Sequence, residues 1–249
     1  MITKNEIKFL KSLSQKKYRI QSQKFLVEGK RIVKELIQSK ALIDQIYVSE
    51  DFINKNADFI LFDSNINYEI VSNEVISKIK NTESSQEVFA ICLIKNNFDF
   101  QVHTPILILD NISDPGNLGT LLRSASWYDI NNVLVSNNSV DIYNPKVVRS
   151  AMGAHFHIDN LQQLSEEKIL SILNNESIKT IAATLNGTSH KDLNPSKNWA
   201  LILGNEAHGV TESLLDTADE QVSIPKLGNM ESLNVGVAGS VLIDRFCTK

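Results

Sequence analysis

Apolar residues along the chain occur either in short continuous runs or at positions three and four apart, which predicts strands and amphipathic helices respectively. In the first part of the chain, the predicted strands cover residues 25–27, 43–48, 68–71 and 88–94. The predicted helices there cover residues 4–13, 32–37 and 75–80. This alternation predicts a small α/β unit.

From residue 106 onward the alternation is more regular. The predicted strands cover residues 106–110, 132–135, 156–158, 180–184, 201–204 and 221–224. The predicted helices cover residues 116–127, 146–152, 166–173, 210–215 and a last stretch around 237–242. Strands that alternate with helices favour a largely parallel sheet covered on both faces. Ligands bind beyond the carboxyl ends of such strands, so the loops after Asp110, Leu203 and Ile224 are the candidate sites.

The stretch between these two patterns predicts a domain boundary. Residues 95–105 are mostly polar and aromatic, include two successive asparagines and end in Pro105. The sequence therefore predicts an N-terminal domain over 1–95, a linker over 96–105 and a C-terminal domain over 106–249.

Composition narrows the class of protein. The 249 residues are 42% hydrophobic and 22% charged, which excludes a disordered, collagen-like or coiled-coil chain. Apolar runs are far shorter than the roughly 20 residues of a membrane span, and no apolar segment follows the first lysine, so we expect neither a transmembrane helix nor a secretory signal. The two cysteines lie far apart. They predict no disulfide framework and no zinc site, and they favour a reducing, cytoplasmic compartment.

Charge is distributed unevenly. Residues 1–40 hold 11 Lys and Arg against 3 acidic residues, whereas the rest of the chain holds 14 basic and 26 acidic residues. A basic segment on an acidic body favours a polyanionic partner such as nucleic acid at one end, and a merely solvated helix face is the alternative.

The first candidate loop is Asp114-Pro115-Gly116-Asn117-Leu118-Gly119, which leads into a helix that carries Arg123. Glycines at a helix start let backbone N–H groups approach an anion, so phosphate or ribose binding is one interpretation. An ordinary turn with a helix N-cap is the other. The loop is not a dinucleotide-binding fingerprint, because the third glycine is missing.

The second loop, Gly204-Asn205-Glu206-Ala207-His208-Gly209, directly follows a predicted strand. Glycine at a strand end lets a ligand lie against the backbone. Glu206 could be a pocket carboxylate or merely a carboxylate at a helix N-terminus. No Lys-Ser or Lys-Thr follows Gly209, so this is not a P-loop.

The third loop runs from Ile224-Pro225 through Gly228 to Ser232-Leu233-Asn234-Val235. Ile224 and Leu233 could enclose a flat ring, and Asn234 could orient it. The alternative is that Ser232 or Asn234 only caps the last helix.

These three loops, together with Asn144-Pro145-Lys146-Val147-Val148-Arg149-Ser150-Ala151-Met152-Gly153, resemble the SpoU (TrmH) family of RNA ribose 2′-O-methyltransferases, within the SPOUT superfamily. The N-terminal Lys17-Tyr18-Arg19 and Lys24-Phe25-Leu26-Val27-Glu28-Gly29 are similar to the start of the substrate-binding domain found on many members. The resemblance implies an α/β fold in two parts. The C-terminal part is a SPOUT α/β-knot, a parallel sheet with a deep trefoil knot, and the N-terminal part is a small RNA-binding domain related to ribosomal proteins.

The resemblance also implies an activity and its partners. A SpoU-type enzyme transfers the methyl group of S-adenosylmethionine to a ribose 2′-hydroxyl, and it works as a homodimer with the active site at the subunit interface. Ribosomal RNA is the favoured substrate and transfer RNA is possible. No metal and no membrane take part.

By the family pattern the site residues fall into three groups. The catalytic group is Arg123, Asn117, Ser232, Asn234 and Glu206. The group that contacts the cofactor is Gly204, Ile224, Leu233, Leu203, Asn234 and Thr184. The group that contacts RNA is Lys16, Lys17, Arg19 and Arg149.

The resemblance assigns Arg123 the activation of the hydroxyl. A guanidinium stays cationic in proteins, so we expect it to stabilise the forming alkoxide rather than to remove the proton. Two other functions remain as alternatives: a non-catalytic RNA-binding protein of the same fold, and a nucleotide-dependent oxidoreductase, which the missing third glycine disfavours.

Overall fold

The computed structural model of the protein describes residues 2–39, 41–59, 61, 66–79, 87–95, 103–174, 177–195 and 197–248. Contacts between residues divide the chain into two compact units. Unit 1 comprises residues 1–96 together with 143–156, and unit 2 comprises residues 97–142 and 157–249. The predicted linker falls largely on residues 96–102, which lie outside the described residues, so its extent stays a prediction.

Unit 1 is a four-stranded sheet with helices on both faces. Its strands are β1 (Lys24–Glu28), β2 (Ile43–Ser49), β3 (Tyr68–Val71) and β4 (Val88–Leu93), in the order β1-β4-β2-β3. Its helices are α1 (Lys4–Ser12), α2 (Lys16–Ser22), α3 (Lys30–Gln38), α4 (Glu50–Lys55), α5 (Asn73–Ile79) and α7 (Pro145–Ala151). The strands β2 and β3 are parallel, and β4 is antiparallel to both β1 and β2.

Alternate side chains of the unit 1 strands enter two apolar clusters, as the pleat of a sheet requires. One cluster includes Phe25 and Val27 of β1 with side chains of α3 and α4, and the other includes Leu26 with side chains of α1 and α5. Both faces of the sheet are therefore covered, and the unit has the α/β character that the apolar pattern predicts.

The segment Tyr143–Phe156 completes the first of these clusters. The ring of Tyr143 lies 4.7 Å from the ring of Phe25, and Val148 and Phe156 are buried in the same cluster. Gly153 has a φ of 101°, and a Cβ there would lie 2.7 Å from the Cβ of Glu35 on α3. The predicted C-terminal domain spans this stretch, but its contacts group it with unit 1.

The predicted strand over 156–158 is wrong. Ala154–Phe156 form a single 3₁₀ turn, and the strand that follows is Asn160–Leu164. The apolar side chain of Phe156 belongs to the core of unit 1, which is why an apolar run here does not indicate a strand.

Unit 2 is a parallel six-stranded sheet, as the alternating pattern predicts. Its strands are β5 (Ile106–Leu109), β6 (Asn132–Ser136), β7 (Asn160–Leu164), β8 (Lys179–Ser189), β9 (Trp199–Leu203) and β10 (Glu220–Ser223). Their order is β10-β8-β9-β5-β6-β7, and every pair is parallel. Its helices are α6 (Pro115–Trp127), α8 (Glu166–Leu173), α9 (Glu212–Leu215) and α10 (Val235–Cys247).

Helices α6 and α10 pack closely on each other. A Cβ at Gly239 of α10 would lie 2.3 Å from Cδ2 of Leu121 and 2.6 Å from Cδ1 of Leu203, so a larger residue there would displace these two leucine side chains. Two polar contacts also join the helices: Ser124 Oγ lies 2.7 Å from Ser240 Oγ, and the Tyr128 hydroxyl donates to Asp244 Oδ1 at 2.6 Å. The middle and the C-terminal part of α10 are thereby held against those of α6.

Across the ranges that the structure describes, no helix combines the length and the apolar character needed to cross a bilayer.

Candidate active site at the ends of the parallel strands

The loops after β5 and β9 leave the sheet side by side. Leu109 and Leu203, the last residues of these strands, are partners in the parallel ladder. The next residue, Asp110, donates its backbone N–H to the carbonyl of Leu203 at 2.8 Å. The pairing of the strands therefore brings the first two candidate loops together.

The first loop is held by its N-cap. Asp114 Oδ1 accepts the backbone N–H of Asn117 at 2.8 Å, and Pro115 occupies the first turn, where a missing N–H costs nothing. A Cβ at Gly116 would lie 2.9 Å from that Asp114 oxygen. The cap fixes Asn117 in the first turn of α6, with its side chain half-exposed.

The second loop is closed on itself. Asn205 and Gly209 exchange backbone hydrogen bonds of 2.9 and 2.8 Å. The Asn205 side chain accepts the N–H groups of Ala207 and His208 and donates to the carbonyl of Asn111 at 2.9 Å. The loop is thus tied to the segment that follows β5.

Gly204 and Asp110 anchor this loop at its two ends. A Cβ at Gly204 would lie 2.2 Å from the Gly209 carbonyl carbon and from the Val210 nitrogen, so backbone passes directly over this position. Asp110 is buried, and its Oδ2 accepts both the backbone N–H and the hydroxyl of Thr211, at 2.9 and 3.0 Å.

A chain of side-chain hydrogen bonds joins all three loops. Asn234 caps α10 by accepting the N–H groups of Gly236 and Val237 through Oδ1, and its Nδ2 donates to Asn117 Oδ1 at 2.9 Å. Asn117 Nδ2 in turn donates to Glu206 Oε1. Because the cap sets which way the Asn234 amide faces, each oxygen in the chain accepts and each amide nitrogen donates. Three of the five predicted catalytic residues therefore meet at one point.

Arg123 and Ser232 do not take part in this series of side-chain hydrogen bonds. Arg123 is exposed and follows Asn117 by six residues on α6, so the two side chains leave the helix roughly 120° apart. Ser232 is also exposed, in the loop before α10. Nothing in the described part of the chain hydrogen-bonds to the Arg123 guanidinium, which leaves it available to a molecule outside this chain.

The residues predicted to contact a cofactor surround the same strand ends. Leu203 is buried, Gly204 and Ile224 are partly exposed, and Leu233 is half-exposed. Thr184 lies in a bulge: β10 pairs with β8 at Ala182 and next at Thr188, so residues 183–187 leave the ladder. The apolar side chains of Ile224 and Leu233, close to a glycine, form a surface on which a flat, uncharged ring could pack.

The residues predicted to contact RNA differ in how far their side chains are exposed to solvent. Lys16 and Lys17 on α2 are exposed. Arg19 is only 3% exposed, and its Nη1 donates to the carbonyl of Leu13 at 2.7 Å, so this side chain holds α2 against α1 rather than facing solvent. Arg149 is partly exposed on α7, among the residues of unit 1.

The sequence analysis did not single out Asn205, Thr211 or Ser223, and used Asp110 only to mark a strand end. Their signal is weak, because each is a common polar residue in a loop or at a strand end, and its partner is distant in sequence. Among the residues that the structure describes, no group of three or more His, Cys, Asp or Glu side chains is arranged to hold a metal ion.

Comparisons with known proteins place this arrangement in a family. Residues 104–244 match the SpoU rRNA Methylase family, and residues 4–90 match the MRM3-like substrate binding domain. The chain is 32% identical over 243 residues to the 23S rRNA (guanosine(2553)-2'-O)-methyltransferase RlmP of Bacillus subtilis, which covers 96% of this chain and 94% of RlmP.

Solved structures share the fold over nearly the whole chain. A protein from Porphyromonas gingivalis assigned to the TrmH family of RNA methyltransferases superposes with a TM-score of 0.86 at 28% identity, covering 99% of this chain and 98% of that one. The SpoU methyltransferase AviRb of Streptomyces viridochromogenes, solved in complex with the cofactor AdoMet, has a TM-score of 0.85 at 20% identity, covering 98% and 97%.

Proposed function

Because the chain belongs to the SpoU rRNA Methylase family, we propose that it transfers a methyl group from S-adenosylmethionine to a ribose 2′-hydroxyl of RNA. The observation that carries the proposal is the hydrogen-bonded chain of Glu206, Asn117 and Asn234 at the carboxyl ends of the parallel strands. The name of RlmP favours ribosomal RNA as the substrate, and transfer RNA is the alternative. The proposed compartment is the cytoplasm, where such RNA is found.

The strand ends fit the cofactor. Gly204 is partly exposed at the end of β9, and Ile224 and Leu233 offer apolar surface for an adenine ring. Thr184, in the bulge of β8, and Leu203 complete the proposed contacts. The cofactor supplies a methyl group that is already electrophilic on its sulfonium. We also propose the deep trefoil knot for this part of the chain, because residues 104–244 match the SpoU rRNA Methylase family.

The protein's own residues orient the ribose and stabilise its charge. Asn117 is held between Glu206 and Asn234 and can position a sugar hydroxyl in line with the methyl group. The Arg123 guanidinium stabilises the alkoxide as the hydroxyl loses its proton, because a fixed cation is most effective where negative charge develops. Ser232 lies in the exposed loop beside Asn234 and contacts the substrate.

We expect Arg123→Ala to abolish methyl transfer while S-adenosylmethionine binds with nearly unchanged affinity. Isothermal titration calorimetry with the cofactor and transfer of a labelled methyl group to RNA measure the two effects separately. Weaker cofactor binding with normal turnover at saturating cofactor would contradict the role of Arg123. Cofactor and RNA binding by the unsubstituted chain without any transfer would favour the non-catalytic alternative.

We further propose a homodimer in which Arg123 acts on the site of the other copy. The Arg123 side chain leaves α6 in a different direction from that of Asn117, which supports this arrangement. Exposed apolar side chains near it supply the surface: Trp127 is 82% exposed at the end of α6, and Val237 and Val241 are exposed on α10.

Mixed dimers test this arrangement. A dimer of one Arg123→Ala chain and one Asn117→Ala chain, isolated by two different affinity tags, contains one intact site if the guanidinium acts across the interface. It should then recover about half of the wild-type activity, although each variant alone is inactive. No recovery would show that both residues act within one chain.

For RNA binding we propose Lys16, Lys17 and Arg149, and we exclude Arg19 because its side chain is buried. Replacing Lys16 and Lys17 with glutamate should weaken RNA binding and flatten its dependence on salt, since fewer phosphate contacts release fewer counterions. The matched control is Lys168→Glu on α8, which changes an exposed lysine of unit 2. An unchanged salt slope in the double variant would remove α2 from the RNA-binding surface.

A further inference from the structure

Arg245, near the end of α10, donates four hydrogen bonds to a single short segment of the chain. Its Nε donates to the carbonyl of His190 at 3.1 Å, and its Nη2 donates to the carbonyls of Lys191 and Leu193 at 3.4 and 3.2 Å. Nη2 also donates to Asn194 Oδ1 at 2.9 Å. A guanidinium that donates hydrogen bonds to four acceptors on one short segment restrains the backbone conformation of that segment.

The segment held by Arg245 is a single turn that begins where β8 ends. The carbonyl of Ser189 accepts the N–H groups of Asp192 and Leu193 at 2.9 and 3.2 Å. A turn of this kind leaves carbonyl groups without partners at its far end, and a cation placed there stabilises them. Arg245 supplies the cation, and the buried side chain of Leu193 anchors the turn from below.

Ser223 connects this turn to the proposed cofactor site. Its carbonyl accepts the His190 N–H at 2.8 Å, and its hydroxyl donates to the carbonyl of Gly187 at 2.7 Å. Gly187 closes the bulge that contains Thr184, and Ser223 directly precedes Ile224. The two proposed cofactor segments, 183–187 and the loop after β10, are thus joined at Ser223 and continue into the turn that Arg245 holds.

The bulge itself has little support from the sheet. Residues 183–187 leave the ladder between β8 and β10, and Leu185 within them is 77% exposed. Gly187 packs so closely against β10 that a Cβ would lie 2.5 Å from the Gln221 carbonyl carbon. Within the bulge the Thr184 hydroxyl donates to Gln221 Oε1 at 3.3 Å, and the shorter contact is at the closing end, where Gly187, Ser223 and the turn meet.

We propose that Arg245 is a positioning residue for cofactor binding: by holding the turn after β8 it fixes the closing end of the Thr184 bulge. This inference rests on the proposed function, since the bulge matters only if it contacts S-adenosylmethionine. Arg245 touches neither substrate nor cofactor in this role. A lysine could not replace it fully, because one ammonium cannot reach four acceptors spread along the turn in the way a planar fork does.

The test compares Arg245→Met and Arg245→Lys with the unsubstituted chain by calorimetry with S-adenosylmethionine and by steady-state kinetics. We expect the cofactor Kd and KM of Arg245→Met to rise about tenfold or more, because small misplacements of site residues carry costs of this order. Arg245→Lys should fall between Arg245→Met and wild type. The kcat at saturating cofactor should change less than twofold, and amide hydrogen exchange should accelerate across residues 183–194.

Tyr128→Phe is the matched control, because it removes the hydrogen bond to Asp244, the neighbour of Arg245 on α10, without touching the turn. It should lower stability slightly and leave the cofactor Kd unchanged. If Arg245→Met does not fold, Ser223→Ala, which removes the bond to Gly187, should raise the cofactor Kd in the same way.

Failure of this inference can be told apart from failure of the proposed function. If the unsubstituted chain binds no S-adenosylmethionine, the proposed function fails. If it binds, and Arg245→Met and Ser223→Ala bind equally well with unchanged exchange over residues 183–194, then Arg245 serves only the packing of α10.

Discussion

Gly204→Ala offers the sharpest test of how the second loop is built. The added Cβ would lie 2.2 Å from the Gly209 carbonyl carbon and the Val210 nitrogen, and 2.4 Å from the Gly209 oxygen. All three atoms are backbone, so no side-chain rotation relieves the overlap. The loop must therefore move, and this movement would break the two backbone hydrogen bonds between Asn205 and Gly209.

The size of the effect follows from these contacts. Overpacking by one carbon costs about 1–3 kcal/mol, and each lost backbone hydrogen bond costs about 1 kcal/mol. We expect Gly204→Ala to lower the free energy of unfolding by about 3 kcal/mol or more. Since Tm shifts by about 2–4 °C per kcal/mol in a domain of this size, the melting temperature should fall by roughly 6–12 °C.

Thermal unfolding followed by circular dichroism measures this loss, and Gly228→Ala is the control. A Cβ at Gly228 meets no atom within 4 Å, and its φ is not in the left-handed region, so its substitution should leave the melting temperature unchanged. Equal melting temperatures for Gly204→Ala and the unsubstituted chain would refute the close backbone passage at Gly204.

Three further predictions concern the packing and ionisation of buried and half-buried groups. Phe156→Ala should lower the free energy of unfolding by about 3–5 kcal/mol, whereas Ile20→Ala, at an exposed position, should lower it little. Urea denaturation measures both variants. Equal midpoints would show that residues 143–156 do not belong to the core of unit 1. Burial raises the pKa of the Tyr47 hydroxyl to about 12 and also raises the pKa of the Cys92 thiol. A raised pKa in the folded state gives stability that is present below the unfolded-state pKa and is lost as pH rises. The urea midpoint should therefore fall from about pH 9, where the thiol of unfolded Cys92 ionises, and further between about pH 10 and pH 12 through Tyr47. Above about pH 10 it should fall less in Tyr47→Phe, and a flat profile would contradict this. The buried Cys92 should react with a maleimide only when the protein unfolds. Cys247 is half-buried, and burial raises its pKa to about 11, so it should react before Cys92 does. Mass spectrometry of the labelled protein shows which cysteine is labelled first.

Apolar periodicity predicted most strands and helices of both units, because buried sheets and amphipathic helices leave regular patterns. It missed α2, whose residues Lys16–Ser22 have no apolar stripe. That helix is held instead by one buried guanidinium, Arg19, bonded to the end of α1. The same arginine was predicted to contact RNA, since a sequence does not show whether a basic side chain points outward or into a carbonyl.

The error around residues 156–160 has a related cause. The apolar side chains of Val148 and Phe156 serve the core of unit 1, although they lie in sequence between two strands of unit 2. The strand that follows, Asn160–Leu164, is polar at three of its five positions and only partly buried, so it shows no apolar run. Periodicity assumes that neighbours in sequence share a core, and here they do not.

The candidate site could be predicted from the sequence as far as the order of the strands in the sheet could be predicted. Once Leu109 pairs with Leu203, the loops that follow must meet, and Asn117 and Glu206 come within hydrogen-bond reach. The residues that hold those loops in place could not be recognised in the same way. Asp110 is bonded to Thr211, and Ser223 to Gly187, across separations of 101 and 36 residues, and each pair exists only because the tertiary register places it. A motif therefore identifies the side chains that meet at the strand ends, whereas the residues that hold their loops in place must be found from the folded contacts.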